Sequence, residues 1–165
     1  MTASMASKED LLRKAFENFS RLQEKQDYNK FVGSEKFWLE DYCLYKALKK
    51  KHKGLSWQKW EPALAAREKK ALTEAGQALA AEIEYQRFLQ YVFHCQWQKL
   101  KSYANRRGIL IIGDMPIYVA ADSCDTWAFR QYFKMDTDGA QLAQAGVPPD
   151  YFSSTGQLWG SSIKI

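Results

Sequence analysis

The side chains best equipped for chemistry sit towards the end of the chain, between Gly108 and Gly160. Asp114 closes the apolar run Ile109-Leu110-Ile111-Ile112 after a single glycine. A carboxylate at the C-terminal end of a buried strand is where α/β architectures carry binding and reacting groups. The same position suits a structural hydrogen-bonder, and residue type alone leaves both roles open. Farther on, Val147-Pro148-Pro149-Asp150-Tyr151-Phe152 and Gln157-Leu158-Trp159 join aromatic rings, an amide and one carboxylate. Sugar rings present apolar C–H faces and a rim of hydroxyls. Tyr, Phe and Trp rings cover the first, and Asp and Gln side chains bind the second. The alternative is a surface loop whose aromatics pack beneath it. The other carboxylates read as structure: Asp122 and Asp125 as caps or local hydrogen-bonders, Asp136 and Asp138 as turn formers.

The elements that position these residues follow from periodicity. Residues 109–112 are apolar and mostly β-branched, which predicts a strand buried on both faces, as in a parallel sheet under helices. The helical pattern before it stops at Asn105-Arg106-Arg107-Gly108. Helix, glycine stop, buried strand and terminal carboxylate is the order of a β/α repeat. Upstream, Ser7 with Asp10 predicts a capping box opening a helix that carries Leu11, Leu12, Ala15, Phe16 and Phe19 on one face. Asp27-Tyr28-Asn29 reads as a loop, and Ser34 as the cap of a second helix that Gly54 terminates. Trp57 and Trp60 flank a short turn before Pro62 and read as core anchors, with a sugar platform as the alternative. A long helical stretch runs from Ala63 to Asn105 with a break near Gly76, and its second half is amphipathic. After the strand, Pro116 biases Met115 towards extended backbone, and Asp122-Ser123 caps a short helix holding Trp127. Asp136-Thr137-Asp138-Gly139 turns between two short strands, and residues 146–160 show no periodicity. The chain thus divides into a mainly helical region, 1–105, and a strand with a site-bearing loop segment, 106–165. A helix face this apolar needs a sheet or more helices to cover it.

Composition excludes several classes. Hydrophobic residues make up 46% and aromatics 15%, which does not describe a disordered chain. Twenty-four basic residues oppose 19 acidic ones, for a net charge of +5. Much of that excess is the run Lys49-Lys50-Lys51-His52-Lys53, at a helix end where cations suit the dipole. No binding motif or aromatic platform accompanies it, so no nucleic-acid partner is expected. Cys43, Cys95 and Cys124 are odd in number and far apart, which predicts reduced thiols in a cytoplasm. His52 and His94 lack metal-ligand spacing, and no metal or organic cofactor is expected. No apolar run approaches the roughly 18 residues of a membrane span, and the polar first seven residues are not a secretory signal. A cytoplasmic location without membrane contact is expected.

Three motifs carry a resemblance: Gly113-Asp114-Met115-Pro116-Ile117-Tyr118-Val119, Ala145-Gly146-Val147-Pro148-Pro149-Asp150-Tyr151-Phe152-Ser153, and Thr155-Gly156-Gln157-Leu158-Trp159-Gly160. With Asp122-Ser123 and Trp127 they resemble the 4-alpha-glucanotransferases, the amylomaltases or disproportionating enzymes of glycoside hydrolase family 77. Weaker likenesses run through Leu11-Leu12, Trp38-Leu39-Glu40-Asp41-Tyr42 and Gln96-Trp97. The resemblance implies an α/β fold: part of a (β/α)8 TIM barrel with a largely helical inserted subdomain. It implies transfer of 1,4-alpha-glucan segments between maltodextrins by a retaining mechanism. It places Asp114 near the cleavage point, and Asp150, Tyr151, Phe152, Gln157 and Trp159 on a lid over the acceptor side of the groove. Such a lid excludes water and favours a sugar acceptor.

A retaining mechanism needs a nucleophilic carboxylate and an acid/base carboxylate. In the family these lie in Arg-Ile-Asp-His and Ala-Glu-x-Leu-Gly motifs, with a third Asp near a His-Asp pair, and none of these motifs occurs in the 165 residues. A barrel takes about 250 residues and eight strands. The expectation is therefore an internal slice of a glucanotransferase with no catalytic residue and no activity alone. The family continues after the last motif with Asn-Pro or His-Pro, whereas this chain reads Ser161-Ser162-Ile163-Lys164-Ile165. One possible coding of that tail, TCA TCC ATT AAA ATT, shifted one base gives His-Pro-Leu-Lys; this suggests a frameshift after Gly160, with a deliberate end or real divergence as the alternatives. A non-catalytic carbohydrate-binding or helical interaction module is the alternative.

Overall fold

Apolar residues spaced three and four apart make the first 105 residues helical, as their periodicity demands. The structure, a computed structural model, describes residues 3–115 and 118–163, with side chains from residue 7 onwards. Met1, the Pro116-Ile117 step of the first motif, and Lys164-Ile165 of the tail lie outside the described residues. The helices are α1 (Ala3–Ser20), α2 (Gln26–Ser34), α3 (Lys36–Lys51), α4 (Pro62–Ala65), α5 (Lys69–Ala78), α6 (Ala80–Asn105) and α7 (Cys124–Ala128). Single 3-10 turns form at Trp57–Lys59 and Arg130–Tyr132. The strands are β1 (Val119–Ala120), β2 (Gln144–Val147) and β3 (Gln157–Ser162). The chain groups into two compact units, residues 1–47 with 78–112, and residues 48–77 with 113–165.

In the first unit α6 is the spine. Phe16 and Phe19 of α1 meet Phe88 at ring separations of 5.4 and 4.9 Å, and Phe16 also meets Tyr85. Arg13 fixes the register of α1 on α6: its guanidinium donates to both oxygens of Glu82 at 2.9 Å while lying 3.3 Å over the Tyr85 ring. Bidentate geometry makes this a strong polar contact. Phe31, Leu39, Cys43, Ala47 and Ile83 form a buried cluster in which α2 and α3 meet α6. Asn105 ends α6 as expected, with Gly108 closing the turn onto Asn105.

Three tryptophans build the second unit. Trp57 and Trp127 are fully buried and Trp60 nearly so, which settles the Trp57/Trp60 pair as core anchors rather than a sugar platform. Trp57 Nε1 donates to the Ala121 carbonyl and to Thr126 Oγ1, and Trp127 Nε1 donates to the Leu64 carbonyl. Arg130 lies over the Trp57 ring and donates to the carbonyls of Ala65 and Thr137. Burial pulls its guanidinium below the ordinary value, opposed by the carboxylates of Asp136 and Asp138. Lys49, the first of the basic run, is not left to solvent: its Nζ meets Asp122 Oδ2 at 2.6 Å and the carbonyl of Gly54 at 2.7 Å. Ser123 caps α7 through a box shared with Thr126, and Asp136 Oδ1 accepts from the backbone of Asp138 and Ala140, both as expected. That turn closes the isolated bridge between Met135 and Gln141.

Several expectations do not hold. Helix α1 starts at Ala3, so Ser7 lies inside it rather than at its cap. Residues 27–29 belong to α2, because burying Tyr28 and Phe31 outweighs the loop preference of Asp and Asn. Ser34 is the last residue of α2, its hydroxyl donating back to the Phe31 carbonyl. The helical stretch breaks at residues 66–68 and again at Leu79, with Gly76 inside α5. Residues 109–112 form no strand and are not buried: Leu110 is 82% and Ile112 94% exposed. A strand buried on both faces needs ladder neighbours and covering helices, and among the described residues none pairs with this run. The sheet forms elsewhere, in the stretch that showed no periodicity: an antiparallel β1-β3-β2 arrangement with Val119 opposite Ser162 and Val147 opposite Gln157.

Candidate functional site

The site-bearing stretch is a loop held between two paired strands. β2 and β3 run antiparallel, and residues 148–156 between their inner ends turn back on themselves. Gly156 makes the crossing possible. Its φ is +71°, and a Cβ there would lie 2.5 Å from the Val147 carbonyl oxygen and 3.0 Å from the Pro148 carbonyl carbon. Only glycine tolerates both that backbone angle and that approach. Pro148 and Pro149 stiffen the outgoing limb.

Asp150 organises the tip. Its Oδ1 accepts hydrogen bonds from the backbone of Phe152 at 2.9 Å and Ser153 at 2.7 Å. The backbone of Asp150 donates to the Ser153 carbonyl, and Ser153 Oγ donates to the Gly156 carbonyl at 2.7 Å. Tyr151 and Phe152 project from this tip 97% and 89% exposed, their rings 5.5 Å apart and at 87° to one another. Two large apolar side chains so fully in water cost free energy unless something covers them. The alternative of aromatics packed beneath the loop is thereby excluded.

On β3, Gln157 and Trp159 share a face by strand alternation. Trp159 Nε1 donates to Gln157 Oε1 at 2.9 Å, and the Trp159 ring meets Tyr118 at 5.8 Å. Tyr118 joins the aromatic surface because β1, which it precedes, pairs with β3. Sequence reasoning missed it. Its only signal was its place in the first motif, since the cross-strand partner lies some 40 residues away. Asp114 is exposed, and no described contact ties it to the loop. Five of the six expected residues therefore fall in one loop-and-strand segment, with Asp114 apart from it.

Among the described residues no group of three His, Cys, Asp or Glu side chains is placed to hold a metal ion. A cleft of about 580 Å³ in the same unit is lined by Arg67, Trp127, Arg130, Phe133 and Asp136, none of them in the aromatic loop.

The family model described as 4-alpha-glucanotransferase matches residues 1–164. The chain belongs to this family. It is 47% identical over 155 residues to the 4-alpha-glucanotransferase of Thermus thermophilus, covering 92% of this chain and 31% of that protein. It is 44% identical to the Synechocystis enzyme over 164 residues, covering 97% of this chain and 32% of that one. Among solved structures it is similar to the amylomaltase from Streptococcus agalactiae in complex with acarbose, with a TM-score of 0.91 and 42% identity over 96% of this chain and 32% of that chain. The chain thus spans about a third of the length of these relatives. Its mixed helix-and-strand fold is similar to the corresponding third of the amylomaltase.

Proposed function

We propose that these 165 residues supply acceptor-side binding surface of a 4-alpha-glucanotransferase that moves 1,4-alpha-glucan segments between maltodextrins in the cytoplasm. The observation that carries this reading is the pair of exposed rings, Tyr151 and Phe152, raised on an internally bonded tip whose loop leads into Gln157 and Trp159 on β3. Exposed aromatic rings next to amide groups are the chemistry of sugar recognition. Asp114 contributes to the same groove. The complex of the amylomaltase with acarbose supports an oligosaccharide ligand.

The wider frame of this proposal is a (β/α)8 barrel. Residues 1–105 form its helical subdomain, and residues 106–165 supply a barrel strand and the lid. The run 109–112, which forms no strand among the described residues, has the apolar composition such a strand requires. The retaining reaction needs two carboxylates flanking the glycosidic bond, and no residue here takes either role. These residues instead bind the acceptor glucan and, by covering the bond, keep water from competing with it.

Two measurements on the purified chain test this. Titration with maltoheptaose should show saturable binding that Tyr151→Ala/Phe152→Ala removes; affinity unchanged in that variant would sink the loop reading. Incubation with maltotriose should release no glucose, and glucose release with host enzyme excluded would place catalytic groups within these residues. In a polypeptide that also carries the family's catalytic motifs, the same double variant should raise hydrolysis relative to transfer.

A further inference from the structure

The family resemblance implies that Asp150 binds sugar, but its hydrogen bonds point to another task. We propose that Asp150 is a positioning residue: it latches the tip so that Tyr151 and Phe152 are presented together in one fixed backbone arrangement, and it does not itself bind the sugar. This rests on the reading of the loop as a glucan-binding surface.

Three observations support the latch. Asp150 Oδ1 accepts from two successive backbone groups, Phe152 N and Ser153 N, at 2.9 and 2.7 Å. Those groups flank and support the two aromatic residues. Both bonds are charge-assisted and therefore among the stronger ones a loop can form. Ser153 then carries the constraint across the loop, with its carbonyl accepting from Asp150 N and from Gly156 N, and its hydroxyl donating to the Gly156 carbonyl at 2.7 Å. Gly156 in turn abuts Val147 and Pro148 at the other limb. The latch thus connects both limbs of the loop through three residues.

The consequence for binding follows from the rings. Tyr151 and Phe152 find only each other at 5.5 Å among the described ring contacts, so packing does not hold their angle. What the latched backbone holds is the pair of directions in which the two side chains leave the tip. A preorganised pair binds without first ordering the loop, which is where affinity is otherwise lost. An unlatched tip would keep both rings and lose their fixed presentation.

The test compares Asp150→Ala with Asp150→Asn and Ser153→Ala. Asparagine keeps an oxygen acceptor in the same turn geometry, so it rescues a latch. The first readout needs no ligand: the rate of chymotryptic cleavage after Tyr151 and Phe152, located by mass spectrometry. Loop cleavage follows the population of the open loop when reclosing is fast. Losing both bonds should raise that rate by about tenfold or more in Asp150→Ala. In Asp150→Asn it should stay within about threefold of the parent. Ser153→Ala should fall between, and the Asp150→Ala/Ser153→Ala double variant should show less than the product of the single effects, because both break one constraint. Parent-like cleavage in Asp150→Ala overturns the proposal, as does cleavage of Asp150→Asn at the Asp150→Ala rate. An unchanged unfolding midpoint in every variant confirms that cleavage reports the loop.

The second readout is maltoheptaose affinity, which should fall in Asp150→Ala and be retained in Asp150→Asn. If Asp150→Asn loses as much affinity as Asp150→Ala while its cleavage rate stays at the parent's, Asp150 touches the sugar directly and the proposal fails. Should Tyr151→Ala/Phe152→Ala retain full affinity, the glucan-binding reading fails instead, and the cleavage series still decides whether the latch exists.

Discussion

Gly139→Ala probes the tryptophan core of the second unit most directly. Gly139 has φ +82° and is buried against the Trp57 indole. A Cβ built there overlaps Trp57 Cη2 and stands 2.8 Å from Cζ3, well inside van der Waals contact. The indole cannot easily retreat. Its Nε1 is tied to the Ala121 carbonyl at 2.9 Å and to Thr126 Oγ1 at 3.2 Å, and the Arg130 guanidinium lies 4.6 Å from the ring centre. Two costs add. Left-handed backbone costs a residue with a Cβ about 1–2 kcal/mol, and overpacking a rigid core costs about 1–3 kcal/mol. The expected loss is about 2–5 kcal/mol, a large share of the stability of a domain this size. Urea unfolding followed by tryptophan fluorescence measures it. The midpoint should fall by on the order of 1–2 M at an m-value near 2 kcal/mol/M. Gly76→Ala is the control: Gly76 lies inside α5 with nothing within 4 Å of an added Cβ, so alanine there should stabilise by about 0.5–1 kcal/mol. A Gly139→Ala midpoint within about 0.5 kcal/mol of the parent, or a fall in both variants alike, would refute the reasoning.

Other expectations are equally checkable. Burial pushes the Cys43 thiol up to about 12, with Arg87 opposing and Glu84 and Glu40 reinforcing the rise. The folded chain then binds more protons than the unfolded one above pH 9, so this contribution is complete below pH 9 and lost as pH rises towards 12, by on the order of 3–4 kcal/mol. Urea midpoints measured from pH 7 to 11 should decline, and Cys43→Ala should flatten the decline. At neutral pH a maleimide should label Cys95 and Cys124, both half-buried, before the fully buried Cys43, and the opposite order by mass spectrometry would contradict the core assignment. Ser123→Ala removes the acceptor for the Thr126 backbone at the start of α7 and should cost about 1 kcal/mol in the same urea assay. Leu110→Asp and Ile112→Asp replace side chains that lie in water, so stability should stay within about 0.5 kcal/mol while binding of a hydrophobic dye falls.

What was legible in the sequence was local or dense. The helix stop at Gly108, the Ser123 cap and the Asp136 turn each depend on residues within one turn of backbone, and each stands where the spacing put it. The family was legible because motif residues cluster at fixed spacing from Gly113 to Gly160, and the match then extends over residues 1–164. The aromatic content of the candidate loop and strand was legible too, since Tyr151, Phe152 and Trp159 announce themselves by type.

Other features were decided only by the tertiary structure, because they join residues far apart in the chain. Helix α2 overrides the loop signal of residues 27–29 because Tyr28 finds Glu84 and Phe31 finds α6. Lys49 belongs to an ion pair because Asp122, 73 residues on, meets it. Residues 109–112 have the composition of a central strand, yet a strand exists only where other backbone offers its hydrogen bonds, and here the ladder forms among β1, β2 and β3 instead. Tyr118 joins Trp159, and Asp150 turns inward to its own loop, for the same reason: side-chain type sets what a residue can bind, and the fold sets what lies within reach.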